Sequence, residues 1–168
     1  MKINNLGLAG GGIYGFSHVG ALMELEKYSD MIDIKSIRGV SVGSMVAALY
    51  AVGYKPVEIH DIIMELNFEY LIKDSYFSYY RLFDSFGLYT ANRLENKMEE
   101  LISNKTNIKR CTFSQIDINL TIIATNLNYQ KPAYFNKHYT PQMVISHAIR
   151  LSIAYPILIT PGLYNGDM

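Results

Sequence analysis

The stretch SIRGVSVGSMVAALYAVG, residues 36–53, decides the fold. Residues 36–40 predict a short strand, and the largely apolar residues 44–52 predict a buried helix that ends near Gly53. The junction holds a G-x-S-x-G pattern, Gly39-Val40-Ser41-Val42-Gly43. On a tight strand-to-helix turn this pattern is typical of a nucleophilic serine with a strained backbone and an exposed hydroxyl. The alternative is a glycine-containing turn with an incidental serine.

A second glycine motif, Gly10-Gly11-Gly12-Ile13-Tyr14-Gly15, follows a strand predicted over residues 3–9. It precedes a helix predicted over residues 14–28. The glycines at positions 10, 12 and 15 fit the dinucleotide-binding pattern G-x-G-x-x-G. That site needs an acidic residue at the end of the second strand to hold a ribose, and this chain has Ser41 there. A nicotinamide or flavin site is therefore the weaker interpretation.

The other interpretation of the glycine motif is an oxyanion hole. Gly10, Gly11 and Gly12 expose backbone amides at the mouth of a helix, with no side chains in the way. If the first two strands are neighbours in a parallel sheet, these amides and Ser41 converge on one crevice at the carboxyl ends of the strands.

The rest of the chain continues the alternation of strands and helices. Helices are predicted over residues 56–66, 91–103 and 141–152, and a β-branched strand over residues 116–125 has a hairpin partner at 132–136. Residues 157–163 are extended, and Asn165-Gly166 is a hairpin turn signal. This alternation predicts an α/β fold with a mostly parallel central sheet.

Composition sets further limits. The 168 residues carry 15 basic and 15 acidic side chains. The net charge is therefore zero, and no basic field favours nucleic acid as a partner. Apolar residues make up 49% of the chain and charged residues 18%. This balance excludes a disordered chain. The length predicts one domain, residues 1–168. The single cysteine, Cys111, excludes a disulfide framework and fits a reducing compartment.

No run of about 18 apolar residues exists, so no transmembrane segment is expected. Polar Asn4 and Asn5 stand where a signal peptide would be apolar. We expect a cytoplasmic protein with peripheral membrane contact. Residues 68–89, rich in Tyr and Phe, are the candidate contact, because such side chains suit a membrane interface. The same aromatic residues are equally suited to covering the core helices.

None of the four histidines has a partner spacing that marks a catalytic triad. Ser41 follows the second strand, too early in the chain for the nucleophile of an α/β-hydrolase. Taken together, the ordered motifs resemble the patatin-like phospholipase family. The resemblance rests on the two glycine motifs, on HVGAL at residues 18–22, on ATNL at residues 124–127 and on HAIRLSIAYP at residues 147–156.

This resemblance implies a three-layer sandwich with helices flanking the sheet, and a Ser–Asp dyad lipid acyl hydrolase. Ser41 would attack an ester carbonyl of a glycerolipid or phospholipid and form an acyl-enzyme. Amides of Gly10, Gly11 and Gly12 would hold the oxyanion, and an aspartate would act as base. No histidine, metal or cofactor would take part. Acyl transfer in place of hydrolysis stays open.

Two departures from the family pattern matter. Tyr14 stands where the family often has Arg or Lys. The second catalytic motif, Asp-Gly-Gly or Asp-Gly-Ala, is absent from residues 1–168, and the final residues look like the hairpin that leads into it. We expect the domain to be truncated before this motif, with Asp167 as a turn residue and only a weak candidate for the base. A catalytically impaired lipid-binding or regulatory domain is the alternative function.

Overall fold

The computed structural model describes residues 2–73 and 79–168. The strands are β1 (Ile3–Leu8), β2 (Ile32–Val40), β3 (Gly87–Tyr89), β4 (Asn119–Asn126), β5 (Lys131–Asn136) and β6 (Ile157–Ile159). The α-helices are α1 (Ser17–Leu25), α2 (Val42–Ala51), α3 (Pro56–Glu65), α4 (Phe68–Ile72), α5 (Tyr79–Ser85), α6 (Asn92–Thr106) and α7 (Ile145–Ser152). Short 3₁₀ helices cover Gly12–Phe16, Glu26–Met31 and Phe113–Gln115.

The central sheet has the order β1-β2-β4-β5. Strands β1, β2 and β4 are parallel, and β5 returns antiparallel to β4 as the predicted hairpin partner. Strands β3 and β6 form a separate parallel pair. The α/β fold with a mostly parallel central sheet is therefore confirmed, as is the adjacency of the first two strands.

One face of the sheet carries the core. Ile37 and Ile122 point into it and are fully buried. Helix α2 packs on β2 and β4 and touches α1, α6 and α7. Residues 43–49 of α2 are all buried, as expected of a helix that is apolar on every side. Both crossovers, β1 to β2 and β2 to β4, run the same way across the sheet. Because such crossovers are almost always right-handed, we expect their helices to lie on this one face.

Several predicted boundaries were wrong. The first helix, predicted over residues 14–28, is α-helical only over Ser17–Leu25. Strand β2 begins at Ile32, within residues expected to be a polar connection, because half-buried Ile32 and Ile34 alternate with exposed charged residues. Strand β4 begins later than predicted, at Asn119. Helix α7 also begins later, at Ile145 and not near residue 141, because Val144 pairs as a β-bridge with Thr112.

The aromatic stretch divides between its two interpretations. Phe68 opens α4 and lies against Phe16 with ring centroids 4.5 Å apart, so it covers the core. Phe83 and Phe86 are instead 82% and 58% exposed. Residues 74–78 of the stretch lie outside the described residues. In the two described ranges, no helix combines the length and the apolar character that crossing a bilayer requires.

Candidate active site

Ser41 lies alone between β2 and α2, with φ 53° and ψ −127°. L-residues rarely adopt this conformation, which persists only where the surroundings fix it. The carbonyl of Ser41 accepts hydrogen bonds from the Ser44 amide at 2.8 Å and from Ser44 Oγ at 2.5 Å. Its amide donates to Ser152 Oγ at 2.8 Å. The serine predicted from the G-x-S-x-G pattern therefore has the strained turn that the pattern indicates.

The glycines on either side of Ser41 are required by close packing. A Cβ on Gly39 would lie 2.5 Å from the carbonyl oxygen of Gly43, and a Cβ on Gly43 would collide with the carbonyl oxygen of Leu8. No side chain fits at either position unless the backbone moves. The helix α2 can therefore start directly against the end of β1, close to the second glycine motif.

That second motif runs beside the serine. A Cβ on Gly10 would lie 3.3 Å from Ser41 Cβ, so the glycine loop borders the serine side chain. Gly11 and Gly12 both have positive φ, 156° and 54°. All three glycines are exposed. The convergence expected from neighbouring parallel strands is thus present between the loop and the turn.

Among the described residues, the amides of the glycine loop have no protein acceptor. Gly10 and Gly11 amides have no hydrogen-bond acceptor within residues 2–73 and 79–168. Gly12 opens a 3₁₀ helix, and the first amides of a helix have no partner inside it. Exposed donors of this kind, next to a helix start, favour a negatively charged group.

No histidine is hydrogen-bonded to Ser41 in the described part of the chain. His18 Nε2 donates to the carbonyl of Ala9 at 3.0 Å, and His60 pairs with its neighbour Asp61. His147 Nδ1 lies 3.1 Å from Glu95 Oε1, and this hydrogen bond raises the pKa of His147. Within the same described ranges, no group of three or more His, Cys, Asp or Glu side chains forms a candidate metal site.

Asp167 belongs to the hairpin that the sequence indicates. Its backbone exchanges two hydrogen bonds with Tyr164, at 2.8 and 3.0 Å, around the Asn165-Gly166 turn. Its carboxylate accepts from Asn126 Nδ2 at 3.0 Å, at the end of β4. No hydrogen bond joins Asp167 to Ser41 among the described residues.

A cleft of about 660 Å³ lies beside the serine turn. Its walls come from the ends of β4 and β5, the end of α7 and the C-terminal hairpin, and include Leu151, Ala154 and Tyr164. Val40, which precedes the serine, and Ser152, which bonds its amide, line one side. The cleft therefore borders the turn that presents Ser41, although Ser41 and the glycine loop are not among its lining residues, and most of its lining is apolar.

Ser152 is the residue to which sequence reasoning assigned no role. It stood in the segment HAIRLSIAYP only as part of the resemblance. The single signal available was a serine close to the end of a predicted helix, which is also a common surface position. Its contact with Ser41 spans 111 positions of sequence and is therefore invisible to local patterns.

Comparisons with known proteins bear on the family and the fold of the chain. The chain is 53% identical over 168 residues to uncharacterized protein R571 of Acanthamoeba polyphaga mimivirus, covering 99% of this chain and 57% of that protein. It is 28% identical over 166 residues to probable lipid hydrolase 463L of Invertebrate iridescent virus 6, covering 95% of this chain and 56% of that protein. The chain thus spans little more than half the length of these curated relatives.

Among solved structures, VipD from Legionella pneumophila superposes with a TM-score of 0.84 at 15% identity, over 99% of this chain and 45% of VipD. At that identity the likeness concerns the fold. Residues 6–168 match the family described as patatin-like phospholipase. Because this match takes in nearly all of the sequence, the chain belongs to the patatin-like phospholipase family.

Proposed function

We propose that this chain carries the nucleophile and oxyanion hole of a serine-dependent lipid acyl hydrolase of the phospholipase A type. The observation that carries the proposal is Ser41, held in a strained turn at the start of α2 with Gly10 against its side chain. Membership of the patatin-like phospholipase family supports a lipid ester as substrate. The relative named as a probable lipid hydrolase supports the same class.

In the proposed reaction, Ser41 Oγ attacks the ester carbonyl carbon of a glycerolipid or phospholipid. The carbonyl oxygen becomes an oxyanion, which accepts hydrogen bonds from amides of the glycine loop. Such donors are already in place, so no reorganisation is needed when the charge develops. The carbon–oxygen bond to the lysolipid or alcohol then breaks, and the acyl group stays on Ser41 as an ester. Water hydrolyses that ester, releasing a fatty acid and restoring the hydroxyl.

The serine needs a base to take its proton, since an unassisted hydroxyl is a weak nucleophile. We propose an aspartate from an Asp-Gly-Gly or Asp-Gly-Ala motif following the C-terminal hairpin. The greater length of both viral relatives is compatible with such a motif. Asp167 is the alternative base inside the chain, but its carboxylate is already engaged by Asn126.

We also propose transient contact with lipid surfaces. Phe83 and Phe86 are exposed at the end of α5, and Ile13 and Tyr14 are 73% and 84% exposed beside the glycine loop. The exposure of these large apolar side chains favours a lipid or protein surface as partner. The net charge is zero, which argues against strong attraction to anionic lipid, so contact without anchoring is expected.

A fluorophosphonate probe tests the nucleophile directly. We expect labelling of the chain extended through the next motif, which would hold the proposed base, to disappear in Ser41→Ala and to persist in Ser114→Ala, an exposed serine that serves as the matched control. Labelling that survives Ser41→Ala would remove Ser41 as the nucleophile. Activity on a phospholipid ester, compared between this chain and one extended through the next motif, tests the base. Equal activity in both would reject a base beyond Met168, and Asp167→Asn would then test the internal candidate.

The second candidate function is a catalytically impaired lipid-binding or regulatory domain. The observation that favours it is the lack of a base hydrogen-bonded to Ser41 among the described residues. Vesicle binding without probe labelling, in the extended chain as well, would support this candidate over the hydrolase.

A further inference from the structure

Ser152 makes two hydrogen bonds that tie three elements together. Located at the end of α7, its Oγ accepts from the Ser41 amide at 2.8 Å and donates to the carbonyl of Ile123 in β4 at 2.6 Å. The first bond reaches the turn between β2 and α2. Both distances are ordinary for hydrogen bonds of these types. A single hydroxyl therefore joins the serine turn to the neighbouring strand and to a helix much later in the chain.

The direction of these bonds is fixed by the number of protons available. The hydroxyl of Ser152 has one proton, and a carbonyl such as that of Ile123 can only accept. That proton therefore goes to Ile123, and a lone pair of the oxygen is left facing the Ser41 amide. The amide in turn polarises the hydroxyl, so the two bonds strengthen each other.

The Ser41 turn is fixed at each end by a different partner. Its carbonyl is held by Ser44, both through the backbone and through Oγ. Its amide is held by Ser152, and within the described residues no other acceptor takes it. The backbone of Ser41 has φ at 53° and ψ at −127°. A turn in this sparsely populated region depends on such external bonds to keep its conformation.

The bond to Ser152 also determines which amides remain available to substrate. Because the Ser41 amide is occupied, it is not among the free donors near the serine. The amides of the glycine loop and of the first residues of α2 remain. Any oxyanion formed on a substrate of Ser41 must then be held by donors outside Ser41 itself.

We infer that Ser152 is a positioning residue, which sets the backbone of Ser41 and thereby the direction of its Oγ relative to the glycine loop. This inference rests on the proposed function of Ser41 as the nucleophile. Ser152 does not touch the substrate in this role. Its removal leaves the Ser41 amide unsatisfied and lets the turn relax, and a misplacement of about 1 Å in a reacting group is enough to cost about 100-fold in rate.

The test compares Ser152→Ala with two other variants of the same helix. Ser152→Thr retains a hydroxyl at the position. Ser146→Ala is the matched control, because Ser146 is a buried serine on the same helix α7. This variant loses the hydrogen bond from Ser146 Oγ to Glu99 Oε2 at 2.8 Å, which does not involve Ser41. Two quantities are measured in the extended chain, which holds the proposed base: the rate of fluorophosphonate labelling at Ser41, and the hydrogen-exchange rate of the Ser41 amide.

We expect Ser152→Ala to lower the labelling rate about 10- to 100-fold and to accelerate Ser41 amide exchange. Ser152→Thr should keep the labelling rate and the exchange rate close to those of the wild type. Ser146→Ala should change neither rate beyond its effect on global stability. In an extended chain that hydrolyses ester, the loss should appear in kcat and leave KM nearly unchanged, because the group acts on the serine and not on lipid binding.

Equal labelling and equal exchange in Ser152→Ala and Ser146→Ala would overturn the inference. Two other results would distinguish a failure of this inference from a failure of the proposed function. If the wild-type chain and the extended chain are not labelled, while Ser152→Ala still accelerates Ser41 amide exchange, the nucleophile proposal fails and the structural bond stands. If labelling is strong and insensitive to Ser152→Ala, the nucleophile stands and the positioning role fails.

Discussion

The two glycine motifs of this protein meet at one place but use glycine for different physical reasons. At Gly39 and Gly43 the backbone angles are ordinary, and the missing side chain leaves room for other backbone. At Gly12 the surroundings are open, and the positive φ of 54° is what favours glycine. Gly39 and Gly43 are buried, whereas Gly10, Gly11 and Gly12 are exposed.

The two motifs therefore differ in what they provide: the first gives a rigid backbone at Ser41, and the second gives exposed backbone amides. A nucleophile needs a fixed direction, which close packing and the bonds to Ser44 and Ser152 supply. An oxyanion donor needs a free amide, which only a loop uncovered by side chains and without internal acceptors leaves open. Under the proposed function, the glycines of each motif meet one of these two requirements, and substitutions should affect the two motifs differently.

The largest expected effect is on the packed motif. Gly43→Ala places a Cβ against the carbonyl oxygen of Leu8, so β1 and α2 must separate. We expect the free energy of unfolding to fall by about 3 kcal/mol or more, beyond the usual cost of an overpacked core. Urea unfolding followed by circular dichroism measures this. The control is Gly7→Ala. Gly7 precedes Leu8 on β1 but has open space around its Cα, so this variant should cost far less stability. Equal stability of the two variants would contradict the packing argument.

A smaller effect is expected in the glycine loop. Gly12→Ala forces an L-residue into the left-handed region. That conformation costs about 1–2 kcal/mol. For a chain of this size the cost corresponds to a fall in Tm of roughly 2–8 °C. The labelling rate of Ser41 should fall further than this loss of stability explains, because the loop amides move. Unchanged labelling in a folded Gly12→Ala protein would separate the loop from the chemistry.

The helix that supports the serine turn should respond to pH. Glu95 beside His147 raises the pKa of that imidazole above its ordinary 6.5, with burial and Arg150 opposing and the Leu163 backbone assisting. A raised pKa means that the stabilisation is complete below the unfolded value and is lost as pH rises through the folded value. The pair is partly exposed, so less than about 1 kcal/mol is expected.

His147→Asn should therefore lower stability near about pH 5.5 and have little effect near about pH 8.5. Thermal unfolding of the variant and the parent at the two pH values measures the difference. A larger loss at the higher pH would reverse the sign and exclude the pair with Glu95 as its cause.

The smallest expected effect is an increase in stability. Gly20 is exposed inside α1, and a Cβ there meets nothing within 4 Å. Gly20→Ala should raise stability by about 0.5–1 kcal/mol, because glycine loses more conformational freedom than alanine on entering a helix. Differential scanning calorimetry should detect the rise in Tm, with labelling of Ser41 unchanged. A loss of stability would mean that this face of α1 is packed against something, unlike the open face described.

Local features of the fold and site followed from the sequence, and long-range ones did not. The strand, turn and helix around Ser41 were predictable because one short segment holds the pattern and its steric reason. The approach of Gly10 to Ser41 followed from the adjacency of parallel strands. The start of α7 was mispredicted. Pro141 favours the start of a helix, but the β-bridge between Val144 and Thr112 keeps Val144 extended, so the helix begins only at Ile145. The hydrogen bond between the Ser41 amide and Ser152 could not be predicted, since no local sequence pattern around either residue indicates a contact with the other.

That bond also sets an order of events during synthesis. Ser41 emerges from the ribosome long before Ser152, which lies 111 positions later in the chain. A nascent chain that ends before α7 has β1, β2 and α2, yet lacks the acceptor for the Ser41 amide. Contacts between positions far apart in the sequence are slow to form, so we expect the serine turn to reach its final conformation only once α7 has docked. Until then the turn lacks the bond that holds the Ser41 amide.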